Sequence, residues 1–188
     1  MLDYRVLSLF LITYLLPVVI TDNQKKYNIE DAMYLLASTI FIGLSFNLLI
    51  LMRNFSLLYI LYFFIITVMT DTFGLFTGMF IGKHPLAKKI SPKKTMEGLI
   101  GGTLMGVFAA CTSYLTVINP DIDIVHLLIV TVTLSLMGQF GDLVFSAIKR
   151  HFGKKDFSNL IPGHGGILDR FDSIIFVIIT AILFMSVI

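Results

Sequence analysis

The stretch Ile124 to Ile148, IVHLLIVTVTLSLMGQFGDLVFSAI, decides the fold: it is 25 residues long, and Asp142 is its only carboxylate. A helix rises about 1.5 Å per residue against a hydrocarbon core about 30 Å thick, so a run of this length crosses a bilayer. An ionisable group inside such a span costs about 2.5–3.5 kcal/mol on insertion scales and needs a physical reason. Gln139, Asp142, Ser146 and Lys149 are spaced by three, four and three, which aligns them on one stripe of the helix. That stripe must face protein, water or an ion.

Working outward, five more segments have the length and apolar character of spans: Tyr4 to Ile20, Asp31 to Met52, Phe55 to Ile81, Gly98 to Ile118 and Phe171 to Ile188. Arg5 ahead of the first gives it the look of a signal peptide. The run ends in Pro17-Val18-Val19-Ile20 with no small-x-small cleavage site, which predicts a retained helix. Continuous runs of this length exclude spanning strands, whose open edges would leave backbone groups unpaired in lipid. The expected fold is therefore an all-α, polytopic integral membrane protein with about six transmembrane helices. Composition agrees, since 56% of the 188 residues are hydrophobic, 14% are charged and the mean hydropathy is +0.89. A net charge of +2 gives no footing for nucleic acid. The single cysteine, Cys111, lies in an apolar run and reads as packing.

The basic residues gather in two connections. One, Gly82 to Glu97, carries Lys83, Lys88, Lys89, Lys93 and Lys94; the other, Lys149 to Arg170, carries Lys149, Arg150, Lys154, Lys155 and Arg170. An excess of Lys and Arg marks the cytoplasmic side, so both face the cytoplasm, as do Lys25 and Lys26, while acidic Asn119 to Asp123 faces the opposite side. Lys88 and Lys89 read better as topology-setting charges that attract anionic lipid than as site residues. Gly74, Gly78 and Gly82, and again Gly98, Gly102 and Gly106, recur every four residues, a spacing that brings helix backbones together in membranes.

The second basic segment also holds Pro162-Gly163-His164-Gly165-Gly166, a glycine density that lets backbone amides approach phosphate, and then Asp169 and Asp172, three apart and able to share a face. Carboxylates beside Lys and Arg suit magnesium that is held partly by substrate phosphates. The run from Ser146 through Lys149-Arg150, Lys155-Asp156 and Pro162 to Gly166, on to Asp169-Arg170 and Asp172, resembles the signature of CDP-diacylglycerol synthases, the phosphatidate cytidylyltransferases. Gly82-Lys83-His84, Leu86-Ala87, Ser91 to Thr95 and Glu97-Gly98 are similar to that family's other characteristic stretch, and Asp71 stands where the family has an intramembrane Asp. The resemblance covers about Thr70 to the C-terminus.

The resemblance implies a magnesium-dependent nucleotidyltransferase that moves the cytidylyl group of CTP to phosphatidate, at the cytoplasmic end of a funnel open to the bilayer, here of a bacterial inner membrane. It implies Asp142 and Asp169 as the principal metal carboxylates, with Asp172 in an outer shell or on a second ion such as K+. Lys149 and Arg150 join Asp142 and Asp169 as catalytic residues. Phosphate contacts are expected from Ser91, Lys93, Lys94, Lys155, His164, Gly165 and Arg170, and support from Asp71 and Ser146. Residues 70–188 would form the catalytic domain and 1–69 the N-terminal helices that pack and serve homodimerisation. Members of that family carry further N-terminal helices, so the expectation is a minimal version or a piece. Other readings stay open: a cytidylyltransferase for another lipid such as an archaeal ether lipid, an ion-binding membrane protein using Asp71 and Asp142, or a non-catalytic fragment.

Overall fold

The computed structural model describes residues 4–20, 27–158, 160 and 165–184. Lys25, Lys26, Pro162, Gly163 and His164 lie outside the described residues. The helices, in chain order, are α1 (Tyr4–Ile20), α2 (Ile29–Phe55), α3 (Leu57–Ile81), α4 (Met96–Ser113), α5 (Ile124–His151) and α6 (Leu168–Ala181). A π-helical turn, Tyr114–Ile118, prolongs α4, and a 3-10 turn, Ile182–Phe184, follows α6. Four of these are long and apolar enough to cross a membrane: α2, α3, α4 with its π turn, and α5. The expected first span coincides with α1, at 17 residues, whereas α6 has 14 and begins at Leu168, three residues ahead of the expected start. The protein is an integral membrane protein.

The chain divides into two compact units, Met1–Leu51 and Met52–Ile188. In the first, Tyr27 donates its hydroxyl to the carbonyl of Tyr14, and the Tyr14 hydroxyl meets Thr39 Oγ1 at 3.3 Å. Helix α2 opens on a reciprocal cap: Asn28 Oδ1 accepts from the Asp31 amide at 2.9 Å and Asp31 Oδ2 accepts from the Asn28 amide at 3.1 Å. Two donors at the helix start that would otherwise lack partners are thus satisfied.

The second unit holds the site. Ser56 breaks the apolar sequence between α2 and α3, its hydroxyl accepting from the Leu58 amide at 3.2 Å as an N-cap. The α3–α4 seam is made by the two glycine rows. A Cβ at Gly98 would sit 2.6 Å from the Gly74 carbonyl, and one at Gly102 would sit 2.5 Å from the Thr70 carbonyl and 2.9 Å from Gly74 Cα. Where lipid and side chain are equally apolar, this backbone proximity supplies dispersion contact that the hydrophobic effect does not. Polar pairs join α3 to α5: the Tyr62 hydroxyl meets Thr131 Oγ1 at 2.6 Å, and Thr70 Oγ1 meets Ser135 Oγ at 2.8 Å, all four residues being buried.

Helix α6 packs on α5 through side chains. Phe145 lies edge-on to Phe157 and to Phe176, with centroids 5.8 and 6.2 Å apart, and Gly141 leaves room for the Phe176 ring. The only strands among the described residues form an antiparallel hairpin, β1 (Pro85–Ala87) with β2 (Ser91–Thr95), in register Pro85↔Thr95 and Ala87↔Ser91. It falls in the first basic connection, where Pro85 and Pro92 disfavour helix and the lysines suit an edge open to water. Glu97, in the first turn of α4, secures its base by accepting from the amides of Lys83 and His84 and meeting His84 Nδ1 at 2.6 Å. Thr95 ends β2 and caps α4, its Oγ1 accepting from the Gly98 amide.

Candidate active site

A cavity of about 420 Å³ opens where α3, the hairpin, α4, α5 and the start of α6 converge. Asp71 comes from α3, Lys93 and Lys94 from β2, and Asp142 and Lys149 from α5. Asp169, Arg170 and Asp172 come from α6, and Asp156 from the connection before it. Five carboxylates and four cations thus face one space. The two basic connections, distant in sequence, contribute to the same cavity. Its apolar wall is Leu75, Leu86 and Leu99.

Two lysine–aspartate pairs organise this charge. Lys94 Nζ lies 2.5 Å from Asp142 Oδ2 and donates to the Gln139 carbonyl at 3.3 Å, while Asp142 Oδ1 accepts from Ser146 Oγ at 3.3 Å. Lys149 Nζ lies 2.7 Å from Asp169 Oδ1. Asp169 Oδ2 accepts the amides of Phe157 at 2.9 Å and Gly166 at 2.8 Å, so this carboxylate also fastens the connection that precedes α6. Burial opposes ionisation of Asp169, but the Lys149 ammonium and the two amides outweigh it and hold the carboxyl below its ordinary range. Lys149 is further steadied over the Phe157 ring, 5.3 Å from its centroid.

Glycine is required where this loop folds onto Asp169. Gly165 has φ +82°, and a Cβ there would meet Asp169 Oδ2 at 3.1 Å; at Gly166 it would meet Ser158 Oγ at 2.5 Å. Gly165 and Gly166 therefore serve a carboxylate in this structure.

Of the expected site residues, Asp71, Lys93, Lys94, Asp142, Lys149, Asp169, Arg170 and Asp172 line the cavity. Ser146 supports Asp142 from one turn further along α5. Arg150 is directed elsewhere: its Nε donates to the Ile90 carbonyl at 3.3 Å and its Nη1 to the Lys154 carbonyl at 2.9 Å, tying the hairpin turn to the segment after α5. Ser91 stands at the start of β2 opposite Ala87, and Lys155 is exposed beyond α5. His164 is outside the described residues.

The sequence did not single out Asp156, Ser173, Thr70, Thr95 or Leu99 as cavity residues, yet all line it. Asp156 was visible as the partner of Lys155 in the quoted run, and Ser173 as the neighbour of Asp172. Gln139 was visible as the first member of the polar stripe. Its Nε2 donates to Thr103 Oγ1 at 2.9 Å and to the Leu99 carbonyl at 3.3 Å, which joins α5 to α4 beneath the cavity.

Fold and cavity together define an integral membrane protein whose charged pocket is walled by its own helices. Comparison with known proteins places it further: the profile of the cytidylyltransferase family matches residues 2–188, and the chain belongs to that family. It is 41% identical over 171 residues to a phosphatidate cytidylyltransferase of Staphylococcus haemolyticus, an alignment covering 91% of this chain and 65% of that protein. The corresponding protein of Staphylococcus saprophyticus is 40% identical over 176 residues, covering 94% of this chain and 67% of the relative. That of Staphylococcus aureus is 41% identical over 171 residues, with 91% and 65% covered. The chain thus spans about two thirds of the length of these relatives.

Proposed function

We propose that the protein is a phosphatidate cytidylyltransferase, joining the cytidylyl group of CTP to phosphatidate to give CDP-diacylglycerol and pyrophosphate. The observation that carries this reading is the single cavity in which Lys93, Lys94, Lys149 and Arg170 meet five aspartates inside a membrane protein of this family. A phosphate oxygen of phosphatidate would attack the α-phosphorus of CTP. That oxygen is anionic near neutral pH, so the reaction needs no strong general base. The barrier lies in bringing two polyanions together and holding them in line.

The four cations of the cavity supply that neutralisation, and Arg170 has the fork geometry for a two-point grip on phosphate. The apolar wall of Leu75, Leu86 and Leu99 suits the lipid part of the acceptor. Arg150 acts by bracing the hairpin that carries Lys93 and Lys94 rather than by touching phosphate. Asp71 and Asp172 line the same cavity as Asp142 and would support it from α3 and α6.

Magnesium belongs to the same reading. Among the described residues no three acidic, His or Cys side chains are gathered to hold an ion by themselves. Pairs of hard carboxylate oxygens suit an ion that arrives with phosphate and water ligands, which is how magnesium is commonly held. Asp142 and Asp169 would hold it, with Asp172 available to a second ion such as K+. Bound there, magnesium supplies charge neutralisation and polarisation of the phosphoryl group. The basic connections that meet at the cavity support a cytoplasmic opening, in a bacterial inner membrane.

The test is transfer. The protein purified in detergent, given CTP labelled at the α-phosphate, phosphatidate and magnesium, is expected to move label into a chloroform-soluble product. Label that stays aqueous with phosphatidate but enters lipid with an ether-lipid acceptor would replace the proposed substrate, and label that stays aqueous with both would end the enzymatic reading.

A further inference from the structure

The two carboxylates on which the metal reading rests are already engaged by lysines, and the two engagements differ in how easily they open. The Lys149 and Asp169 side chains are 10% and 7% exposed, and Asp169 is gripped on its other oxygen by two amides. The Lys94 and Asp142 side chains are 24% and 28% exposed. Lys94 extends from a two-stranded hairpin rather than from a membrane helix, and its remaining bond is a 3.3 Å contact with the Gln139 carbonyl. Of the two ammonium groups, only that of Lys94 can withdraw without dismantling a buried pair and a loop.

An ammonium nitrogen 2.5 Å from Asp142 Oδ2 stands where magnesium would have to approach to reach its bond length of about 2.0–2.1 Å. The two cations also repel one another at this range. A divalent ion arriving alone must displace the ammonium and leave it near uncompensated positive charge. A triphosphate brings several negative charges, to which the Lys94 ammonium can transfer.

We infer that Lys94 is a resident counter-cation that reserves Asp142 Oδ2, so that the cavity takes up a divalent cation together with a nucleoside triphosphate and only weakly without it. This rests on the magnesium-dependent reading above and adds a binding order to it. In the unloaded protein Lys94 holds Asp142 in place and offsets part of the charge of five aspartates. On loading, it becomes a phosphate ligand, and metal and nucleotide each strengthen the binding of the other by the same factor.

Binding of Mn2+ alone, followed by electron paramagnetic resonance on the full chain in nanodiscs, tests this without turnover. Wild-type protein is expected to bind Mn2+ weakly, and about tenfold or more tightly with an α,β-methylene analogue of CTP present, within the usual range of coupling between sites. Lys94→Met is expected to bind Mn2+ alone about tenfold more tightly than wild type. Lys93→Met, which removes the neighbouring cation of the same cavity, is expected to change it by less than about threefold. If Lys94→Met binds Mn2+ no more tightly than wild type while wild type still takes up Mn2+ with the analogue, the counter-cation role is wrong and the metal reading stands. Equal gains in the two variants would reduce the effect to bulk charge and also overturn it. Wild-type protein that binds no Mn2+ even with the analogue would overturn the inference and the metal reading together. Should Lys94→Met fail to fold, Lys94→Gln carries the same expectations.

Discussion

The two helix seams that enclose the cavity are built from opposite materials. Between α3 and α4 the contact is backbone on backbone, with glycines facing glycines and the Thr70 carbonyl. Between α5 and α6 it is mainly side chain on side chain, with aromatic edges, Val177 and a part-buried ion pair. The first seam has little freedom to repack, because a new atom meets main chain. The second has room for adjustment in its apolar part and little in its charged part. Most of the charged side chains of the cavity sit on the second seam, and the first acts as a rigid wall that brings Asp71 and the hairpin up to them.

The sharpest way to test this contrast is through the two aspartates of the second seam. Asp142→Asn and Asp169→Asn are each expected to abolish transfer of label from CTP to lipid. Thermal unfolding by circular dichroism should separate them: Asp142→Asn stays near wild type, while Asp169→Asn, which loses an anion held by Lys149 and two amides, unfolds at lower temperature. Near-normal turnover in either would remove that residue from the metal assignment.

Next in size is Lys149→Met, which leaves the part-buried Asp169 carboxylate without its cation. Breaking a fully buried pair costs about 3–5 kcal/mol, and this part-buried one is expected to cost less. Unfolding unchanged from wild type would mean that the two amides alone hold Asp169. The smallest effects compare the seams directly. Gly102→Ala should cost about 1–3 kcal/mol, the usual penalty for overpacking, because its Cβ would lie 2.5 Å from the Thr70 carbonyl. Gly138→Ala, whose Cβ would meet the flexible Val177 Cγ2 at 3.0 Å and the Ser173 carbonyl at an ordinary 3.8 Å, should cost less than about 1 kcal/mol. Equal midpoints for these two variants would erase the distinction between rigid and adjustable seams.

Much of this arrangement could be read from the chain. Hydropathy located helices α1 to α5 to within a few residues, because long apolar runs favour helix in lipid, whereas α6 runs from Leu168 to Ala181 rather than over the expected Phe171 to Ile188, and four of the six helices are long enough to span. The four-residue glycine spacing identified the α3–α4 seam, and the stripe from Gln139 to Lys149 identified the face of α5 that meets the cavity. The hairpin was not legible: β1 has three residues and β2 five, and their strand character comes from pairing rather than from any alternation of their own. The contacts of Arg150 were hidden for a related reason. Its place beside Lys149 suggests phosphate, but successive residues on a helix diverge by about 100°, and the hairpin turn supplies a carbonyl that no sequence pattern announces. The ion pairs were equally hidden, since Lys94 and Asp142 are 48 positions apart and no sequence pattern couples them.

Cys111, the only cysteine of the chain, is buried and donates to Thr131 Oγ1 at 3.4 Å, beside the Tyr62 hydroxyl. Cys111 is therefore expected to react slowly with thiol reagents in the folded protein. A spin label or fluorophore attached to a cysteine engineered at the hairpin tip would report that position over little background, making movements of β1 and β2 accessible to spectroscopy without first removing a native thiol.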